Sequence, residues 1–436
     1  MRRRKLVGGV AAAVAAGAVL LGGALSDAPV AGRAAETPPE VAAAQLLQGF
    51  SPGDTAAYIA QLEARVALDG HDARALTLLG LAYQQQARET GDPRFYPRSR
   101  EALQRALKLE DDNYLAVTGL AALAASRHRF AQARALAKRS TRLNPHSAAT
   151  YGILGDAFVE LGRYAAGFAA FEHMMELRPS VAAYARISYA RELLADTSGA
   201  IRAMKMAVAA AGRDEPAAWA LVHLGNLYRD EGRLALAVRA YREALVRVDG
   251  YPAALGGLAR VSWWRGDLPT AAGLFARALA SARLPEYAVG LGDVAHELGR
   301  QSQAEQAYAE AEALERRSAA YGENNQLETA LFDLDHNRNV PDALRRARVG
   351  HRLRPSIEGE HVLAWALYKN GRCEAAKKHS IRALRLGTKD TGAMLHRSYI
   401  ERCLGNSEAS RSFRAKALEA NPYALFTVGS PTVHRK

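Results

Sequence analysis

Two cysteines, Cys373 and Cys403, are all that 436 residues contain, and two thiolates cannot complete a metal site alone. Neither lies near the amino terminus, which excludes a lipid anchor on an amino-terminal cysteine. Proline is sparse and β-branched residues are few. The motifs that carry common chemistries are also missing. There is no HExxH, no P-loop, no CxxC and no GxSxG. The twelve histidines are scattered without ligand spacing. Gly290 and Gly292 begin like a dinucleotide loop, but no third glycine follows and no strand precedes them. These absences point away from an enzyme and from any bound cofactor.

What is present is alanine in abundance, within an apolar fraction of 49%. Alanine loses almost no side-chain entropy in a helix, so the composition favours an all-helical chain. The first residues form a separate element. Arg2, Arg3, Arg4 and Lys5 make a basic tip, and Leu6 to Leu25 then run without a charge. A basic tip before an apolar run is an export signal. Its length also suffices to cross a bilayer, and Ala24 and Ser26 flank a cleavage position. Residues 1–26 are therefore expected to be either a cleaved signal or a membrane anchor, with the rest of the chain outside the cytoplasmic membrane. Residues 27–40, rich in small residues and proline, read as a flexible linker.

The formal charge of +13 is unevenly spread. The tip carries +4 and residues 316–436 carry +10, which leaves the long middle at −1. A neutral middle is not a nucleic-acid surface, and export argues the same way.

After the linker the chain repeats. One unit carries Tyr151, Gly155, Phe158, Gly162, Arg163, Tyr164, Phe171 and Pro179. Another carries Leu224, Gly225, Tyr228, Gly232, Arg233, Ala237 and Tyr241, and a third Gly292, Gly299, Arg300, Ala304 and Tyr308. The two glycines of each unit are seven residues apart, and units recur at about 34 residues. The first glycine suits a close helix crossing. The second, followed by arginine, suits the positive φ between two antiparallel helices. Pro145, Pro179, Pro355 and Pro422 stop the second helix of their units. This pattern resembles the tetratricopeptide repeat. The resemblance implies an all-α, right-handed α-solenoid of antiparallel helix pairs, with about ten units over residues 72–422. Residues 41–71 are expected to form an amino-terminal helical cap and 423–436 a carboxy-terminal tail. The first unit has an insertion around residues 87–95. The unit from Tyr184 to Ala207 lacks both signature glycines, and the unit from Leu327 to Pro355 is degenerate.

The resemblance also implies where partners bind. First helices line a concave groove that holds extended or helical peptides. By register, Tyr189, Asn226, Arg229, Asp230, Arg260, Trp263, Trp264, Asp293, His296, Trp365 and Tyr368 face it. Adjacent tryptophans point about 100° apart on a helix, so one of Trp263 and Trp264 is expected to be open to the groove. A lysine-asparagine clamp for a terminal carboxylate is not expected, because Val222 stands four residues before Asn226.

Three features stand apart. Asp333, Asp335 and Asn337 sit at the first ligand spacings of a calcium loop, but Arg338 replaces the required glycine and Leu344 the closing glutamate. A polar turn before Pro341 is the expected reading. Two basic clusters, Arg345 to Arg354 and Lys377 to Arg385, lie on second helices and read as solvated charged faces, with anionic lipid or cell-wall polymer as the alternative. Cys373 and Cys403 fall at one edge of neighbouring helices, which leaves a disulfide or two reduced thiols open. The functional expectation is a protein-binding scaffold in the cell envelope with a protein or peptide partner, and possible membrane contact through its amino-terminal segment. The alternatives are a glycan-recognising module and a membrane-tethered spacer.

Overall fold

The computed structural model describes residues 38–427. The expected signal or anchor, and nearly all of the expected linker, lie outside the described residues. Within them the chain is all-helical: 22 α-helices, no strand, and a short 3₁₀ turn at Ala424–Thr427. Consecutive helices pack as antiparallel pairs. Pro39–Leu47 and Thr55–Leu68 each pack against Ala73–Thr90 rather than as a pair of their own, and ten helix pairs run from Ala73 to Ala420. No helix among the described residues is long and apolar enough to cross a membrane.

The repeat signature works sterically, though not as expected in one respect. Gly155, Gly225 and Gly292 each face an aromatic ring of the second helix of their own unit, respectively Phe171, Tyr241 and Tyr308. A Cβ at any of the three would collide with that ring. The aromatic ring 16 residues downstream is thus the true partner of the first glycine. Phe171 and Tyr241 are fully buried as a result.

The second glycine closes the turn between paired helices. Gly162, Gly232 and Gly299 have φ near +70°, at 70°, 69° and 72°. The units without this glycine keep the same turn. His128, Ala195 and Asn337 take its place with φ of 52°, 62° and 54°. The missing glycine therefore does not break the stack; another residue bears the left-handed backbone. Asp196 then caps the next helix, accepting from the Gly199 amide at 2.9 Å.

A second regularity lies beyond any single repeat. Residues separated by 192 to 196 positions touch. Arg127 donates to the Tyr321 carbonyl, and His128 Nδ1 lies 3.1 Å from the Asn324 carbonyl. Tyr164 Oη accepts from the Ile357 amide at 2.6 Å. Lys389 Nζ lies 3.2 Å from Thr197 Oγ1, and Asn421 Nδ2 3.4 Å from the Arg229 carbonyl. At about 34 residues per unit, the solenoid completes one superhelical turn in roughly five and a half units and docks on itself. The glycine turns of one superhelical turn meet the proline turns of the next. A Cβ at Gly162 would press on the Pro355 carbonyl, and one at Gly232 on the Pro422 ring.

Arg354, deeply buried at 1% exposure, makes the most charged of these contacts. Its Nε is 3.1 Å from Glu160 Oε2, its Nη2 is 3.3 Å from Glu358 Oε2, and its Nη1 bonds Glu328. The basic stretch ending at Arg354 is therefore not a uniformly solvated face. Arg354 points into the body, and Arg346 pairs with Asp333 and Asp342. Burial pushes the Glu358 carboxyl well up; Arg354 pulls against this, while Glu160 and Glu328 add to it. Near the carboxy terminus Cys373 and Cys403 form a disulfide with Cα atoms 6.2 Å apart. It joins the start of Cys373–Ala383 to the end of Thr391–Cys403.

Ala195 carries a left-handed backbone that an L side chain adopts at a cost of about 1–2 kcal/mol. Ala195→Gly is predicted to raise the urea midpoint, with a gain of up to about 1 kcal/mol after the extra chain entropy of glycine. An unchanged or lowered midpoint would contradict the strained-turn reading.

Candidate functional site

Docking of successive turns converts the concave side of the solenoid into a partly enclosed interior. A cavity of about 670 Å³ lies there. Its wall combines residues far apart in sequence, including Arg88, Tyr96 and His128 from one superhelical turn and Arg260, Glu286 and Glu315 from the next. Five of the expected groove residues line it: Arg229, Arg260, Trp263, Trp264 and Asp293.

The first helices Asp214–Asp230, Pro252–Trp264 and Pro285–Glu297 place these five. Arg229 and Asp230 are committed to each other, at 2.9 and 3.1 Å, and both are buried. Arg229 also reaches Asn226 Oδ1 at 3.2 Å, and Tyr241 Oη donates to the same oxygen at 2.8 Å. Asn226 is thus bound into the packing and is not among the cavity's lining residues. Asp293 accepts from Tyr308 Oη at 2.9 Å and lies 2.7 Å from His336 Nε2. Burial opposes charge on His336, but the hydrogen bond and charge of Asp293 outweigh it and push the imidazole up to about 9. His336 therefore keeps its proton at neutral pH.

Arg260 differs from these. It lines the cavity and makes no ion pair within 4 Å among the described residues. Burial and the neighbouring Arg229 act to lower its affinity for the proton, against the pull of Glu286 and Asp293. Glu286 is likewise without an ion pair, and burial raises its carboxyl against the pull of Arg260.

The expectation for the tryptophans is corrected. Neither is open: Trp263 is 3% exposed and Trp264 6%. The chain's own end covers them. Tyr423 stacks on Trp264 with ring centroids 5.9 Å apart, and Phe426 meets Trp263 edge-on at 6.1 Å. The described part of the expected tail is thus a packed element. Even so, the indole N–H of Trp263 has no hydrogen-bond partner.

The remaining expected groove residues lie elsewhere. Tyr189 packs beside Tyr164 and Phe171 in a separate apolar cluster. His296 bonds Gln301 at 3.0 Å. Trp365 donates to Asp335 Oδ1 at 2.8 Å and stacks on His396 at 3.6 Å and on Tyr368 at 5.0 Å. The calcium-like string is divided among partners. Asp333 pairs with Arg346, Asp335 takes the Trp365 indole, and His336 takes Asp293. Asn339 precedes the next helix with φ of 42° and makes no side-chain cap bond.

Sequence reasoning missed the acidic wall of the cavity. Glu315 is pushed up to about 8, first by burial and then by the charge of Glu323, while Asn325 donates to it. Burial also raises Glu323. These acids follow the longest helix, Gln301–Ala320, or sit within it. They line the same cavity as Arg260, which no short motif in the sequence records.

Comparison with known proteins agrees with the repeat pattern. The tetratricopeptide repeat family model matches residues 220–245. Among solved structures, the human IFIT1 dimer with PPP-AAAA is similar at 16% identity and a TM-score of 0.46, over 72% of this chain and 73% of that one. The APC/C hetero-tetramer Cut9-Hcn1 is similar at 13% identity and 0.40, over 89% of each chain. A tetratricopeptide repeat protein from Parabacteroides merdae is similar at 15% identity and 0.41, over 56% of this chain and 93% of that one. No curated protein matches significantly. One segment of the chain thus matches a tetratricopeptide repeat, within a solenoid of helix pairs.

A carboxyl raised to about 8 from an ordinary value near 4.5 means that the folded protein binds a proton the unfolded chain releases. Its stabilisation is complete below pH ~4.5 and is lost as pH rises through about 8. Glu315→Gln is therefore predicted to flatten the pH dependence of the urea midpoint across that window and to raise the midpoint at pH 8. Parallel wild-type and variant profiles would contradict it.

Proposed function

We propose that this protein is a non-catalytic scaffold that holds a peptide or protein segment in the interior of its solenoid. Tetratricopeptide solenoids serve protein interaction, and the observation that carries the specific reading is the state of Arg260. A guanidinium that lines a cavity and has no ion pair costs free energy unless something else answers it. The unpartnered indole N–H of Trp263 stands on the same wall. Both are donors, and a peptide offers carbonyls and carboxylates to them.

The glycan alternative needs an open aromatic face for a sugar ring. Tyr423 and Phe426 already cover Trp264 and Trp263, so the peptide reading is preferred. The setting we propose is the outer face of the cytoplasmic membrane or beyond it. The basic tip with its uncharged run supports export, and the Cys373–Cys403 disulfide suits an oxidising compartment.

Photo-crosslinking in the native cell, followed by affinity measurement with the captured partner's purified segment, tests this reading. Arg260→Ala is expected to weaken binding at least about tenfold, a loss of roughly 1.4 kcal/mol. Arg242→Ala, on an exposed second-helix position, is expected to leave it unchanged. Equal affinity of wild type and Arg260→Ala would refute the interior site.

A further inference from the structure

The two basic clusters that the sequence presents as charged faces meet in space. His351 of the first and His379 of the second converge on Glu360, which lies between them in the chain. We propose that His351, Glu360 and His379 form a binding site for a first-row transition-metal dication of the Zn²⁺ type.

Three consecutive helices deliver the ligands: Val340–Leu353, Ile357–Lys369 and Cys373–Ala383. One donor atom from each residue falls within 4.8 Å of the others. His351 Nε2 is 3.2 Å from Glu360 Oε1, and His379 Nδ1 is 2.6 Å from Glu360 Oε2. Ligands at about 2.0–2.2 Å from a tetrahedral zinc stand a little over 3 Å from one another, so small side-chain rotations admit the ion. Two imidazoles and one carboxylate form a donor set that zinc accepts, with the fourth position left to water. Both histidine side chains keep 21% exposure, so water reaches the site.

The hydrogen bonding of His379 also points to a cation. Its Nδ1 lies 2.6 Å from the Glu360 carboxylate and 2.7 Å from Arg382 Nη2. If Nδ1 carries a proton, it donates to Glu360 and sets that proton against the guanidinium. If it does not, it accepts from Arg382 and sets a lone pair against a carboxylate oxygen. One of the two close contacts is unsatisfied in either tautomer. His351 adds to this: its Nε2 is buried and makes no hydrogen bond of acceptable angle. A dication accepts lone pairs from both imidazoles and from the carboxylate, which resolves both conflicts.

Arg382 Nε lies 2.8 Å from Glu360 Oε1, and its side chain is 46% exposed. It places a positive charge against the shared carboxylate and is free to swing into solvent. Arg382 is therefore the metal's competitor, and this gives the proposal a signature that a merely structural ion-pair cluster lacks.

The test uses the purified full chain, freed of affinity tag and stripped with chelator, titrated with Co²⁺ and then Zn²⁺. One equivalent of Co²⁺ is expected to bind with the visible absorption of a four-coordinate ion, and Zn²⁺ is expected to displace it. Loss of an outer-shell partner costs ~10–100-fold in affinity, so His351→Ala and His379→Ala are expected to weaken binding by at least that much. Arg382→Ala is expected to tighten it. His361→Ala, outside the cluster, is expected to leave it unchanged. Circular dichroism checks that each variant is folded, and Glu360→Gln and His379→Gln repeat the test should an alanine variant fail to fold. Absence of stoichiometric binding, binding indifferent to His351 and His379, or weaker binding in Arg382→Ala would each overturn the proposal. None of these readouts involves the interior cavity, so failure here is distinct from failure of the scaffold reading.

Discussion

The structure depends on the solenoid docking against itself. A tetratricopeptide stack in which each unit touches only its neighbours is quasi-one-dimensional, with stability close to a sum of nearest-neighbour terms. Here contacts at 192 to 196 residues add a second dimension. Turns near residues 127, 162, 197 and 230 become seats for turns about five and a half units later. Arg354 sits in a deeply buried seat, where it bonds Glu160 across the superhelical boundary. Breaking such a pair exposes the full cost of an unpaired buried charge, about 3–5 kcal/mol. Its value here lies in fixing the pitch, because a guanidinium that must meet three carboxylates permits few alternative arrangements.

Pitch decides the character of the interior. In a loosely wound stack the first helices would face an open groove. The tight winding brings Arg88, Tyr96 and His128 opposite Arg260, Glu286 and Glu315, and the groove becomes a cavity. The carboxy-terminal segment completes the wall by laying Tyr423 and Phe426 on the tryptophan pair. Most charges are then settled internally, as with Arg229 on Asp230 and His336 on Asp293. Arg260 and Glu286 stand apart, each without an ion pair among the described residues.

The extent to which this was legible in sequence follows the range of the interactions. Helix pairing was legible, because Gly155, Gly225 and Gly292 act within one unit and Gly162, Gly232 and Gly299 within one turn. Even the unit without glycines was placed in register, although its Ala195 gives no local hint of a left-handed backbone. The groove was legible only as a face. Five residues reach the cavity, while Tyr189, Asn226, Asp230, His296, Trp365 and Tyr368 serve packing, internal pairing or separate clusters. Burial of both tryptophans could not be foreseen, since their covering residues lie about 160 positions away. The meeting of His351 and His379 at Glu360 was hidden for a related reason: each ligand comes from a different helix, so no short spacing records it.

The central claim is contact between residues 194 positions apart, and a double-mutant cycle on Arg354 and Glu160 tests it most directly. Arg354→Met, Glu160→Gln and the double variant are unfolded in urea beside the wild type. The account predicts a coupling energy of at least about 1 kcal/mol, as expected of directly bonded buried groups. Additivity within ~0.3–0.5 kcal/mol, the behaviour of distant sites, would mean that the superhelical turns do not dock and that the interior is an open groove.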